Sequence, residues 1–209
     1  MSPVKRQYDA SARRARAEAT RDSVVAASRE LFLSRGYAAT TVSEVASSCG
    51  VSVEYVYKRF GGKAGLVRAV VDRALQGTGS ESAESRSDAL GADEPLSLIR
   101  GWGRLSAEVS PLVAPVMLLV RAAAVQDTKV SGLADELDSS RRQRMSENAR
   151  RLAEAGHLRE GIDVEHAADV LWSFSSPELY DLLVVRRGWT AEEFGDFVAR
   201  GIAGELLET

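Results

Sequence analysis

The 209-residue sequence predicts an all-α protein, and three observations predict it. Apolar residues recur at helical spacing along most of the chain, and no alternating strand pattern competes with them. Helix-start signals, Thr followed three residues later by Glu, stand before two of these stripes. Glycines and a Ser-Pro step punctuate their ends. The count is roughly ten helices, arranged as a small N-terminal three-helix domain followed by a larger helical body.

Residues 1–17 are polar and Arg-rich, with Arg13, Arg14 and Arg16 within four positions, and read as a basic flexible arm. From Glu18 to Arg35 the stripe is Val24, Val25, Ala27, Leu31 and Phe32, and Gly36 supplies the stop. Thr41 and Glu44 form a capping box for the next helix, whose inner face is Val42, Val45 and Ala46. Gly50 allows a tight turn, Ser52 caps a third helix, and Gly61-Gly62 breaks the chain again. Lys63 opens a fourth helix with Leu66, Val67, Val70, Val71 and Leu75 on one side. Residues 77–94, rich in Gly, Ser and acids, read as a linker or mobile loop with one turn of helix around Arg86–Leu90. Beyond it, helices are expected over Pro95–Val109, Pro111–Asp127, Val130–Ala155 and Val164–Ser175. A further helix runs from Ser176-Pro177 to Gly188, and a last one, capped by Thr190 and Glu193, ends near Leu207. The predicted division is therefore an arm at 1–17, a first domain at 18–76, a linker at 77–94 and a helical body at 95–209.

Charge separates the two parts. Residues 1–76 carry a net +6 and the remainder −9, so a basic head is joined to an acidic body although the whole chain is −3. A basic head suits a polyanionic partner. One cysteine, Cys49, excludes an intrachain disulfide framework and a Cys-rich metal site. With only His157 and His166, no metal, cofactor or catalytic site is expected. The longest apolar run, Leu112–Val120, is short of the roughly 20 residues that span a bilayer, and the N-terminus lacks a signal-peptide core. The expected setting is the cytoplasm, with no membrane partner.

Two short helices around a turn, Thr41–Phe60, form a helix-turn-helix, in which the second helix enters a major groove while the first braces it. Val45, Ala46, Val51, Val56 and Phe60 knit its core. Val53, Glu54 and Tyr55 lie at the end nearest the bases: a valine can touch a thymine methyl, and a glutamate can accept from a cytosine amino group. Tyr57, Lys58 and Lys63 are placed for phosphates, which set register without reading sequence. The candidate DNA-binding set is Thr41, Ser43, Ser52, Val53, Glu54, Tyr55, Tyr57, Lys58 and Lys63.

These residues resemble those of a known family. The ordered series Phe32, Arg35-Gly36-Tyr37, Thr40-Thr41-Val42, Val45-Ala46, Gly50-Val51-Ser52, Val56-Tyr57, Phe60, Lys63 and Leu66 is similar to the N-terminal domain of TetR-family transcriptional regulators. The resemblance covers about Glu18 to Leu75. It departs from the family at Glu54, where a small residue is usual, at Tyr55, where Thr or Ser is common, and at Gly61-Gly62, which replaces a proline. It implies that positions matching Thr41, Ser52, Tyr55, Tyr57 and Lys63 touch DNA. It also implies a C-terminal ligand-binding and dimerisation domain.

Within that body Trp102, Leu105, Val113, Met117 and Val120 could line an apolar ligand cavity. Arg121, a charge in an apolar helix, could meet an anionic ligand or pair with a neighbouring carboxylate. Leu171, Trp172, Phe194, Phe197, Val198 and Ile202 are the candidate dimer interface. The function expected is a ligand-responsive repressor, acting as a homodimer on a palindromic DNA operator, with an unidentified and largely apolar small-molecule effector. The alternative is a small-molecule-binding or scaffold protein with a vestigial DNA-binding head.

Overall fold

The computed structural model describes residues 10–208. Among them every regular element is helical: α1 (Ala10–Arg35), α2 (Val42–Ser48), α3 (Val53–Phe60), α4 (Lys63–Gln76), α5 (Ala83–Asp88), α6 (Pro95–Ala124), α7 (Thr128–Glu154), α8 (Val164–Phe174), α9 (Pro177–Tyr180) and α10 (Ala191–Leu206). A single π-helical turn, Asp181–Val185, continues α9. The chain divides into two compact units, residues 1–70 and 71–209, and the division falls within α4.

The first unit is knit by Val24, Val25 and Phe32 of α1, Val45 and Ala46 of α2, Val56 of α3, and Leu66, Val67 and Val70 of α4, all buried. Two hydroxyls are buried with them and both are satisfied. Ser28 donates to the Val24 carbonyl at 2.7 Å, and Thr40 faces the carbonyls of Leu31 and Gly36 at 3.1 and 2.9 Å. The helix α1 begins at Ala10, so Arg13, Arg14 and Arg16 lie on a helix and not on a flexible arm. Ala, Arg and Glu, which make up residues 10–19 apart from Ser11, are strong helix formers and need no cap signal to extend α1 backwards. Residues 1–9 of the expected arm lie outside the described residues.

The second unit is built around α6. Its residues Leu98, Ile99 and Trp102 pack with Leu152 of α7, Leu171 of α8, Tyr180 of α9, and Phe194, Val198 and Ile202 of α10. The two helices expected over 95–127 are one. Pro111 and Pro115 lie inside α6, where each removes a backbone donor, yet packing along both halves holds the helix continuous. By length and composition α6 is long and apolar enough to cross a bilayer. Its Leu98, Ile99, Val116 and Val120 are instead buried in the protein's own core. At the crossing of α6 with α10 two glycines face each other. A Cβ on Gly103 would lie 2.5 Å from the Gly195 carbonyl oxygen, and one on Gly195 would lie 2.5 Å from that of Gly103.

The segment expected to be a mobile linker is pinned. Ser82 caps α5, and Arg86 forms a two-pronged pair with Glu108 of α6, both contacts at 2.8 Å. The backbone amide of Thr78 donates to the same carboxylate at 2.6 Å. The Ser87 hydroxyl faces the Trp102 indole nitrogen at 3.0 Å and the Arg144 guanidinium at 2.9 Å, while Arg151 donates to the carbonyls of Ser87 and Leu90. Its polar composition signals solvation, but these groups find fixed partners on α6 and α7.

The Arg86 guanidinium, with help from Thr78, holds the Glu108 carboxyl down at about 2, from an ordinary 4.5. A carboxyl whose folded-state value is depressed adds stability above its unfolded value and loses it as the pH falls through the folded one. The wild type should therefore exceed Glu108→Gln in stability by about 1–2 kcal/mol near neutrality, an amount discounted for the water around a part-exposed pair. Thermal melts from pH 7 downwards should show that margin shrinking between about 4.5 and 2.

Candidate nucleic-acid interface

The helix-turn-helix is set by caps that the residues themselves dictate. At the start of α2 the Glu44 amide donates to the Thr41 hydroxyl at 3.2 Å, and the Thr41 amide donates to the Glu44 carboxylate at 2.8 Å. Arg35 closes on that carboxylate at 2.9 Å. The Thr41 backbone and hydroxyl, then Arg35, hold the Glu44 carboxyl below its ordinary range. Gly50, at φ 65°, carries the turn, and the Val51 amide returns to the Ala46 carbonyl at 3.0 Å. Cys49 faces the Ser23 carbonyl at 3.5 Å, so it packs α2 against α1. Ser52 then caps α3, accepting from the Tyr55 amide at 3.0 Å.

Only Val56 of α3 is fully buried. Val53, Glu54, Tyr57, Lys58 and Arg59 are exposed, and Tyr55 is half-buried. The large apolar surfaces among them, Val53 at 39% and Tyr57 at 56% exposure, are left uncovered by the described residues. Thr41, Ser43 and Ser52 are also exposed. The structure therefore places eight of the nine predicted residues on the two helices, their caps and the turn, and the ninth, Lys63, at the start of α4, with differing freedom. Thr41 spends its amide and hydroxyl on the capping box. Lys63 donates to the Ala38 carbonyl at 3.2 Å and lies 4.2 Å from the centre of the Tyr37 ring. It thereby ties the start of α4 to the α1–α2 loop. Arg59 was not among the predicted residues. Its place beside Lys58 in the last turn of an exposed helix is a signal that the sequence did contain.

Glycines define how α3 meets α4. Gly61 caps α3 at φ 76°, and its amide returns to the Tyr57 carbonyl at 2.8 Å. At Gly65 a Cβ would lie 1.5 Å from the Phe60 carbonyl oxygen, so the end of α3 rests directly on the α4 backbone.

In the second unit the predicted ligand residues fall into two groups. Trp102, Val113, Met117 and Val120 are buried, and Leu105 is half-buried. Trp102 belongs to the large core, while Val113 and Met117 form a smaller cluster with Ala74 and Leu75 of α4, Val109 and Leu112 of α6, and Leu137 of α7. Arg121 meets carboxylates: Asp138 of α7 at 2.5 Å, and Glu178 of α9. Asp138 also takes Arg141 at 3.2 Å. Of the two readings of Arg121, this is the structural pair. A groove of about 790 Å³ opens between α6 and α10, beside Ile99, Gly103, Ala107 and Gly195, and none of the six predicted ligand residues lines it.

The predicted dimer residues need correction. Leu171, Phe194, Val198 and Ile202 are buried in the chain's own core and offer nothing to a partner. Trp172 is half-buried, with the Arg141 guanidinium 4.7 Å above its ring. Phe197 is half-buried and stands edge-on between Phe174 and Trp189, at 5.9 and 5.6 Å. Helical periodicity marks an apolar face without saying which chain covers it. Outside the predicted set, Phe174 and Trp189 are half-buried beside Phe197, and Leu182 and Val185 of the π-helical turn are exposed.

Comparison with known proteins bears on both units. Residues 24–70 match the family of bacterial regulatory proteins described as tetR. The chain is 43% identical over 68 residues to the HTH-type transcriptional regulator AlkX of Mycobacterium tuberculosis, a match covering 32% of this chain and 31% of that one. It therefore spans about a third of the length of this curated relative. Solved structures are similar along most of their length. The SmeT–triclosan complex has a TM-score of 0.70 at 20% identity, covering 91% of this chain and 92% of that one. SmeT is the repressor of the Stenotrophomonas maltophilia multidrug efflux pump SmeDEF. NalD, the secondary repressor of the MexAB-OprM efflux pump in Pseudomonas aeruginosa, has a TM-score of 0.67 at 20% identity, covering 91% and 98%. At these identities the structures speak for the fold: a helix-turn-helix domain followed by a helical body.

Proposed function

We propose, for a chain whose residues 24–70 match the tetR family of bacterial regulatory proteins, the function of a transcriptional repressor that binds a palindromic DNA operator as a homodimer and releases it when a small apolar molecule binds the body. The observation that carries the reading is α3. Its exposed face bears Val53, Tyr57, Lys58 and Arg59, aromatic and basic groups that suit a groove between phosphate backbones. A vestigial head would have no need to keep that face so equipped.

In this reading α3 enters the major groove, Tyr57 and Lys58 hold phosphates, and Ser43 and Ser52 add hydroxyl contacts from α2 and the turn. Lys63 acts mainly by fixing α4 on Tyr37 and Ala38. A second copy covers Phe174, Phe197 and Trp189 together with Leu182 and Val185, which supplies the twofold partner that a palindrome requires. The effector seat is the small cluster of Val113, Met117, Leu112 and Leu137, because Ala74 and Leu75 of α4 share it. A molecule wedged there favours a different placement of the α4 end, and operator affinity falls by its preference for that state. SmeT, a neighbour of the same fold, forms a complex with triclosan. The protein works in the cytoplasm, where its DNA is, and needs no catalytic group or cofactor.

The test is binding of the full chain to duplexes from the region flanking its own gene. Lys58→Ala should weaken binding about tenfold across sequences and lower the log–log salt slope by about 1, the mark of one lost phosphate contact. Tyr57→Ala should weaken it similarly. Binding that is indifferent to both substitutions would remove α3 as the DNA-reading element.

A further inference from the structure

The residue of α3 hardest to reconcile with a DNA-facing surface is Glu54. It stands in the first turn, exposed, with Val53 exposed before it and Tyr57 and Lys58 exposed one turn on. Among the described residues its carboxylate takes no hydrogen bond or ion pair, not even from Lys58 four positions later. It contributes nothing to the core, which α3 enters through Val56. A bare carboxylate pointed at a polyanion weakens sequence-independent binding. It strengthens binding only where it meets a hydrogen-bond donor on a base edge.

The major groove offers two such donors, the N4 amino group of cytosine and the N6 amino group of adenine. They are not equivalent to a carboxylate. Adenine presents its amino group beside N7, an acceptor that repels a second carboxylate oxygen, which is why amide side chains suit adenine. Cytosine presents N4 with only a C–H next to it, and guanine and thymine present acceptors where Glu54 needs a donor.

We infer that Glu54 is a specificity-determining residue of the operator-binding reading given above: it accepts from the N4 amino group of one cytosine in each half-site and disfavours the other three bases at that position. The same carboxylate lowers affinity for non-operator DNA. Discrimination therefore rises both through the attraction it gains and through the repulsion it applies elsewhere.

The experiment is selection from randomised duplexes by the full-length wild type, Glu54→Gln and Glu54→Ala, followed by titration of single-base variants of the selected site. The wild type should select an inverted repeat with one fixed cytosine per half-site, preferred about tenfold or more over other bases. Glu54→Ala should lose the preference at that position alone and bind unrelated duplex no more weakly than wild type. Glu54→Gln should move the preference from cytosine to adenine, because its amide matches N6 and N7. Cytosine retained by Glu54→Ala would overturn the assignment. So would loss spread evenly over all positions, the result expected if Glu54 only steadies the helix start. A wild type that selects no site at all would overturn the DNA-binding reading itself, which is a different and recognisable failure.

Discussion

Gly65→Ala should abolish operator binding while leaving the second unit folded. The added Cβ would lie 1.5 Å from the Phe60 carbonyl oxygen, and the obstacle is backbone, so no side-chain rotation relieves it. Either α3 lifts off α4 or the α4 backbone shifts, and both uncover the small core around Val56 and Leu66. Overpacking of this kind costs about 3 kcal/mol or more. A unit of some 70 residues has little stability to spare. Hydrogen exchange on the full-length variant should show protection lost in α2, α3 and the first half of α4 and kept in α6–α10, with DNA affinity down by about a hundredfold or more. Wild-type exchange and binding in Gly65→Ala would mean that the end of α3 does not rest on α4 as described.

Gly195→Val is the corresponding lesion in the second unit. Its Cβ alone would stand 2.5 Å from the Gly103 carbonyl oxygen and 2.8 Å from the Ala107 Cβ, and valine adds two methyl groups to that conflict. The helices α6 and α10 would have to part along a line that buries Ile99, Phe194, Val198 and Ile202. A loss of about 3 kcal/mol or more is expected, read as a lowered melting transition. Gly132 is the control. It lies exposed within α7 with no atom within 4 Å of its would-be Cβ, so Gly132→Ala should stabilise the chain by roughly 0.5–1 kcal/mol through helix propensity alone. Opposite signs from two helical glycines would separate a packing requirement from simple backbone freedom.

How far the fold could be read in the sequence depended on whether a residue's partner was local. Thr41 with Glu44, Ser52, and Thr190 with Glu193 act on amides three residues away, and each marks the helix start the structure shows. Pro111 and Pro115 also act locally, and there the local rule misled. They read as a boundary, but packing along both sides of them keeps α6 whole. The pinned segment before α6 was invisible for the converse reason. Arg86, Ser87 and Asp88 look solvated until Glu108, Trp102 and Arg144 are brought to them from 15 to 56 residues away. The candidate interface shows the same division. Exposure of Tyr57 and Lys58 follows from the helical period once Val56 is known to point inward. That Lys63 lies over Tyr37 does not follow from it, because the contact spans the α1–α2 loop. In the body, period alone could not separate Phe194, sealed in the core, from Phe197, left half open three residues later.

The two sides of α3 have an evolutionary consequence. Folding of this helix rests on Val56, its Ser52 cap and the glycines at 61 and 65, whereas Val53, Glu54, Lys58 and Arg59 face outward. Substitutions at those outward positions can accumulate in a duplicated gene without passing through an unstable intermediate. A lineage can then exchange one operator for another while each ancestor along the way remains a folded protein.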